Sequence, residues 1–442
     1  MLKILHTADI HLDSPLKSLA LRNAELQKEL AAASRHVLQK ITRLAIEEQA
    51  AAVLWAGDLF DGNQRNAQTL AFLMLELEEL RRHNIPVYYI KGNHDAENPL
   101  LSLMDPPANL HIFSADGQSF ELPQKTEDGL PVYLHGVSFS GPEETENLLP
   151  KFPLPVPGAV NIGLLHSSVN GAEGHDVYAP CSSAELAAFG YDYWALGHIH
   201  KRIIYSEKPW IIMPGCPQGR DIGEDGLKSV SLLYLGRDKQ IEVKARPVCD
   251  IVFWRAEAEL VPADSADAAQ QKIQDSLAKA AAELRGKSAP RAIIRLTLRG
   301  ETELCWQIER DQDVWSKYAE GCARAQGDFW LDKLELALSE PAQMRRVERA
   351  EAGENALPVA ELAAFMRRTA ENEAFQQEMR AELSKIINSI PPELRDKFGA
   401  SRAGRQAWLQ QAMAAGERHI LALLAAGNSG AETPAETEAE AE

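Results

Sequence analysis

Five short stretches of this chain carry side chains that bind metal ions. They are Asp9-Ile-His11, Gly57-Asp58-Leu-Phe-Asp61, Gly92-Asn93-His94-Asp95, His166 and Gly197-His198-Ile-His200. Any one alone reads as caps, turns and surface residues. Five in order within one stretch of chain read as a site. Carboxylate, imidazole and amide donors together suit divalent first-row ions such as Mn²⁺, Fe²⁺ or Zn²⁺. In an extended segment residues i and i+2 project to one side, so D-x-H and H-x-H each aim two ligands at one centre. Glycines at 57, 92 and 197 allow tight turns after strands.

Each stretch follows an apolar run. Lys3–Ala8, Ala52–Ala56, Val87–Ile90, Val132–His135, Val160–Leu165, Tyr193–Leu196 and Ile211–Met213 read as strands. Amphipathic spacing at Leu26, Leu30, Val37, Ile41 and Leu44, and again over Leu70–Arg82, reads as helices between them. Alternating strands and helices predict an α/β domain over 1–250. In such sheets ligands bind beyond the carboxyl ends of the strands, where these clusters sit. The proline-dense Leu148–Pro157 reads as a surface loop. After a boundary near Val248–Ile251, a strand at Ile251–Leu260, a helix at Asp264–Leu284 and strands at Ala292–Leu298 and Phe329–Leu338 predict a small α+β unit over 251–340. A helical region over 341–430 follows, and then an acidic tail over 431–442 expected to be disordered.

The 442 residues carry a net charge of −18. That argues against a passive, sequence-independent DNA coat, which needs a basic surface. It leaves open a nucleic-acid enzyme with a local positive site. No apolar run approaches the length of a membrane span. The five cysteines are odd in number and form no CxxC, so a reducing, cytoplasmic setting is expected.

Taken together, D-x-H, GD-x-x-D, GNH-D, H and GH-x-H resemble the calcineurin-like metallophosphoesterase superfamily. Within it, the opening run from His6 to Leu16, the Gly57–Asp61 block and the PGCPQGR run over Pro214–Arg220 are similar to bacterial DNA repair exonucleases of the SbcD and YhaO type. The resemblance implies a two-sheet αββα sandwich. It implies that Asp9, His11 and His200 hold one metal ion, that Asn93, His166 and His198 hold a second, and that Asp58 bridges both. His94 would face the scissile phosphate, with Asp95 fixing its tautomer. Family habit favours two Mn²⁺ ions. Two divalent ions against two carboxylates leave the centre near +2, attractive to a phosphodiester in an acidic protein.

The implied reaction is attack by a metal-bridged hydroxide on DNA phosphodiesters, as a 3′→5′ exonuclease with endonuclease capacity. The resemblance also implies a coiled-coil ATPase partner of the SMC type docking on the helical region, and a two-fold dimer. The alternatives are a phosphoesterase for a nucleotide or other small phosphodiester, and a non-catalytic assembly subunit. Retention of every family ligand argues against the last. Arg220 and His175 are candidate substrate contacts that read equally well as loop residues, and Asp61 divides the same way. His6 reads as a buried structural histidine, and His135, at a strand end before Gly136, could lie near the site but reads better as a residue without a role there. Lys201-Arg202, Arg345–Arg349 and Arg367-Arg368 read as solvated charge.

Overall fold

The computed structural model describes residues 1–14, 24–61, 66–98, 105–171, 177–287, 289, 291–341, 357–389 and 402–428. Backbone packing divides the chain into two units, Met1–Arg255 with Ala281–Ile294, and Ala256–Ala280 with Arg295–Glu442.

The first unit is built on two six-stranded sheets. One has the order β12-β11-β1-β2-β3-β4, with β1 Leu2–Thr7, β2 Ala52–Ala56, β3 Val87–Ile90, β4 Leu110–Ile112, β11 Ser229–Leu235 and β12 Ile241–Pro247. The other has the order β5-β6-β7-β8-β10-β9, with β5 Gln118–Glu121, β6 Val132–Gly136, β7 Val160–His166, β8 Tyr193–Gly197, β9 Ile203–Glu207 and β10 Trp210–Met213. β1 to β4 run parallel, as do β6, β7, β8 and β10, while antiparallel strands close the remaining edges.

Period-two alternation explains the layers. In β2, Val53 and Trp55 pack with Val37, Ile41, Leu73 and Leu77 of helices α1 (Ala24–Glu47) and α2 (Ala67–Arg82). Ala52, Leu54 and Ala56 face inward, in one cluster with Leu134, Ile162, Leu164 and Ala195 of the second sheet. The second sheet's outer face, with Leu165, Trp194, Leu196 and Ile211, is covered by Leu186 of the short helix α3 (Ser183–Ala188) and by Leu148, Leu149 and Phe152. Strands buried on both faces read as continuous apolar runs, which is why β2, β3, β7 and β8 are visible in the sequence. This is the αββα sandwich.

Two expectations change. The proline-dense segment is no bare surface loop, because Leu148, Leu149 and Phe152 are buried and the Phe152 ring meets Trp194 edge-on at 5.1 Å. Strands β4, β5, β9, β11 and β12 are not anticipated by the sequence patterns. β4 and β5 have only three and four residues, too few to show a period.

The second unit contains a three-stranded sheet of order β13-β14-β15 (Val252–Leu260, Ala292–Glu301, Phe329–Ser339), whose first two strands begin in the first unit. Helix α4 (Ala266–Gly286) is likewise shared, while α5 (Cys305–Arg310) and α6 (Gln312–Arg324) belong wholly to the second unit. Among the described residues three further helices follow, α7 (Leu357–Glu371), α8 (Glu373–Ser389) and α9 (Arg402–Asn428). Leu383, Ile387 and Leu409 form a small core among them. No helix among the described residues is long and apolar enough to cross a membrane. The acidic tail, Arg345–Arg349 and His175 lie outside the described residues.

Candidate metal centre

All five stretches emerge from carboxyl ends of parallel strands. Asp9 and His11 follow β1, Asp58 follows β2, Asn93 and His94 follow β3, His166 ends β7, and His198 and His200 follow β8. The register pairs His166 with Gly197, which brings His198 next to His166, ring centroids 5.3 Å apart.

Asp9, His11 and His200 offer donor atoms within 4.8 Å of one another, and so do Asp9, Asp58 and His166. His11, Asp58 and His94 form a third such set. The Nε2 atoms of His11 and His200 are 3.0 Å apart, close enough for one ion to take both at the ~2.1 Å typical of metal–imidazole bonds. His166 Nε2 lies 3.0 Å from Asn93 Oδ1 and 3.5 Å from Asp58 Oδ2.

The donor set fits a cation. Neutral His166 can donate Nδ1–H to the Ala56 carbonyl at 2.9 Å, leaving the Nε2 lone pair aimed at two oxygens. Burial alone would lower this ring's pKa, but the Asp58 and Asp9 carboxylates push it up to about 9. A proton there supplies the positive charge that a metal ion would bring. Burial pushes the Asp58 carboxyl up, yet His166 and His11 outweigh it and hold the group far below the usual range. Burial raises Asp9 despite His166 and His200. Burial also drives His11 well below its ordinary value, and its Nδ1 is buried with no hydrogen-bond partner among the described residues.

The backbone that aims these ligands is not extended. Asp9, His11, Asp58 and His198 all have positive φ (53°, 44°, 51° and 110°). The expected i, i+2 projection of D-x-H and H-x-H from extended chain is therefore wrong. Left-handed turns direct the ligands, at a cost of order 1–3 kcal/mol per residue. Carboxylates pin the turns: Asp9 accepts His198 N–H at 3.0 and 3.1 Å, and Asp58 Oδ1 accepts His94 N–H at 3.0 Å.

The glycines also act differently from expectation. Only Gly57 has a positive φ. A Cβ at Gly57, Gly92 or Gly197 would lie 2.3 to 2.8 Å from a His166 ring atom, so all three make room for that imidazole.

Asp95 does not contact the His94 ring. Its buried carboxylate accepts the amides of Leu59 (3.1 Å), Phe60 (3.0 Å) and Gly92 (3.2 Å), tying the β2 and β3 loops together. Burial and the nearby Asp58 push its pKa up to about 6. Beside Asp58, a second carboxylate near the His94 ring is Asp61, with Oδ1 at 3.5 Å from Nδ1 and Oδ2 accepting Ser14 Oγ–H at 2.8 Å. The His94 side chain is 37% exposed, in contrast to buried His11, His166 and His198.

Arg220 lies against the site. Its guanidinium Nη2 is 2.9 Å from His200 Nδ1 and 3.1 Å from Glu224 Oε1. Glu224 is not among the residues the sequence points to; its spacing four residues after Arg220 is the only available signal. His6 is buried, with Nε2 3.0 Å from the Leu196 carbonyl and Nδ1 2.9 Å from the Tyr193 hydroxyl. His135 is buried between Ser119 and Asn161.

Residues 2–202 match the model of calcineurin-like phosphoesterases, and residues 253–339 match that of the middle domain of metallophosphoesterase YhaO. The chain is 32% identical over 328 residues to an uncharacterized metallophosphoesterase YhaO of Bacillus subtilis, covering 72% of this chain and 76% of that protein. More distant relatives include the DNA double-strand break repair protein Mre11 of Methanopyrus kandleri, 22% identical over 49% of each chain. The SbcD component of the nuclease SbcCD of Staphylococcus epidermidis is 25% identical, over 45% of this chain and 57% of that one. The chain thus spans about half the length of these two. With the ligand stretches inside the first matched region and the second unit's sheet inside the other, this chain belongs to the calcineurin-like metallophosphoesterases and is a homologue of YhaO.

Proposed function

We propose that this metallophosphoesterase cleaves DNA phosphodiesters, as a 3′→5′ exonuclease with endonuclease capacity. The observation that carries the reading is the overlap of two ligand sets, Asp9–His11–His200 and Asp9–Asp58–His166, with half-exposed His94 beside them. Asp9, His11 and His200 would hold one divalent ion, and Asn93, His166 and His198 the other, with Asp58 between. Mn²⁺ is favoured, and Fe²⁺ and Zn²⁺ suit the same donors. Two such ions supply Lewis-acid charge stabilisation and an activated water.

The protein's own groups do the rest. His94 stabilises or protonates the leaving oxygen, a role worth about 10²–10⁴-fold. Asp61, not Asp95, orients its ring. Arg220 would meet a phosphate oxygen. DNA is favoured as substrate because the named relatives include a DNA double-strand break repair protein and a nuclease subunit. The helical region is the proposed dock for a coiled-coil ATPase of the SMC type. Its helices α7, α8 and α9 line an open apolar pocket with Phe365, Met366, Phe375, Met379, Met413 and Ile420, of the kind that receives an amphipathic helix.

The test is Mn²⁺-dependent degradation of end-labelled linear DNA by wild type and His94→Ala, with bis-p-nitrophenyl phosphate as a small diester. Loss of both activities in the variant supports the reading. Small-diester hydrolysis with DNA left intact, in the presence and absence of a partner ATPase, refutes DNA as substrate.

A further inference from the structure

Glu224 closes a short 3-10 turn (Ile222–Glu224) that Asp221 caps by accepting Gly223 N–H at 2.7 Å. It lies outside all five ligand stretches, yet its carboxylate reaches one of the ligands. Oε1 is 2.6 Å from His200 Nδ1. The same oxygen accepts Arg220 Nη2 at 3.1 Å, and Oε2 accepts the Arg220 backbone N–H at 2.7 Å. The Arg220 guanidinium and backbone N–H can only donate, so the carboxylate oxygens they meet act as acceptors.

Two opposed groups thus face one nitrogen. Glu224 requires a proton on His200 Nδ1. Arg220 is a donor only and sits 2.9 Å from the same Nδ1, so it favours that nitrogen bare. The outcome matters because the two ring nitrogens of neutral histidine share one proton. With the proton on Nδ1, the lone pair is on Nε2, the atom that faces His11 Nε2 at 3.0 Å. With the proton on Nε2, the ligand atom is blocked.

We infer that Glu224 is a positioning residue that fixes His200 in the tautomer able to bind metal, and that it does so against Arg220, whose guanidinium meets the same Nδ1 on its own. The inference rests on the metal-centre reading above. His200, Cys216 and Glu224 also form a ligand-like set. That set is not a third metal site, because the Arg220 guanidinium already supplies the positive charge there. Carboxylate partners on the far nitrogen of a ligating histidine typically change metal affinity about 10–100-fold. The opposition adds a consequence that a merely structural glutamate lacks. Removing Glu224 alone leaves Arg220 free to impose the wrong tautomer, and removing both lets His200 choose.

The experiment uses the full chain, stripped with chelator and titrated with Mn²⁺ by calorimetry. Thermal unfolding in chelator reports the fold of each variant. Wild type is expected to take up two ions. Glu224→Ala is expected to weaken uptake by about 10–100-fold. Glu224→Gln, whose amide oxygen still accepts Nδ1–H, stays within a few-fold of wild type. Arg220→Ala does not weaken Mn²⁺ uptake, and the double variant Glu224→Ala/Arg220→Ala recovers part of what Glu224→Ala loses. Wild-type affinity in Glu224→Ala overturns the inference, and so does a double variant no better than the single one. A wild type that takes up no divalent ion overturns the metal-centre reading and this inference with it.

Discussion

One methyl group at residue 92 should separate fold from chemistry. A Cβ there would lie 2.3 Å from Asp58 Oδ1, 2.8 Å from His166 Cε1 and 2.9 Å from the Asp58 backbone nitrogen. To reach the ~3.5 Å of ordinary contact, the Asp58 carboxylate must retreat by about 1 Å. The neighbouring backbone nitrogen blocks the easiest way out. Overpacking of this kind costs about 1–3 kcal/mol. The bond from His94 N–H to Asp58 Oδ1, now 3.0 Å, would be lost or stretched at a further cost of about 1.5–3 kcal/mol for a charged acceptor. Against a domain stability of about 5–15 kcal/mol, Gly92→Ala should still fold. Metal sites tolerate only about ±0.2 Å in ligand distance, so its metal centre should not survive. Gly92 is not among the positive-φ glycines, so backbone strain does not confuse the result as it would at Gly57. Circular dichroism and thermal unfolding in chelator would report the fold, Mn²⁺ calorimetry the centre, and bis-p-nitrophenyl phosphate hydrolysis the chemistry. Uptake of two ions with wild-type affinity would refute the reasoning, because it would mean that Asp58 and His166 yield freely.

Asp61→Asn should lower turnover by about 10²-fold or more through His94 and leave stability nearly unchanged, whereas Asp95→Asn should destabilise the fold by about 1–3 kcal/mol by disturbing three buried amide bonds; steady-state kinetics beside denaturant melts would expose a reversal of these roles. His6 is held neutral, its pKa pushed down to about 3, chiefly by burial. The unfolded chain gains that proton below about 6.5, so the stability contribution of His6 is full above pH 6.5 and falls as pH drops toward 3, by up to about 1.4 kcal/mol per unit. In His6→Gln this slope should flatten, as denaturant titrations between pH 7 and 5 would register. Mn²⁺ at 100 times its dissociation constant should stabilise the protein by about 2.7 kcal/mol per site, and EDTA should reverse the shift in melting temperature; a melt indifferent to both would contradict a built metal centre.

What could be read in the sequence followed from local chemistry. Ala52–Ala56 and Val87–Ile90 announced themselves because strands buried on both faces are continuously apolar, and the polar stretches after them located one end of the sheets. The site's wiring was less accessible. Assigning Asp95 to the His94 ring followed chain adjacency, whereas the contact falls to Asp61, which follows another strand. Adjacency gives no measure of distance through a turn. The extended geometry expected for Asp9-Ile-His11 failed because left-handed φ values at Asp and His leave no mark on composition. Asp61 stood among the candidates without its role, and Glu224 was invisible altogether, since the importance of each lies in the atom it touches. His175 and the basic run Arg345–Arg349 fall outside the described residues.

The loops at this edge are stitched together by their own peptide groups. Asp9 N–H bonds the Gly57 carbonyl, His11 N–H that of Asp58, and Leu12 N–H that of Leu59. Asp9, Asp58 and Asp95 collect the amides of His198, His94, Leu59, Phe60 and Gly92. Loop amides ordinarily trade hydrogen for deuterium quickly, because local openings release them. Among the described residues, these stretches open only by breaking bonds to one another. The catalytic edge should therefore exchange as slowly as the strands beneath it, and melt with them as a single cooperative unit.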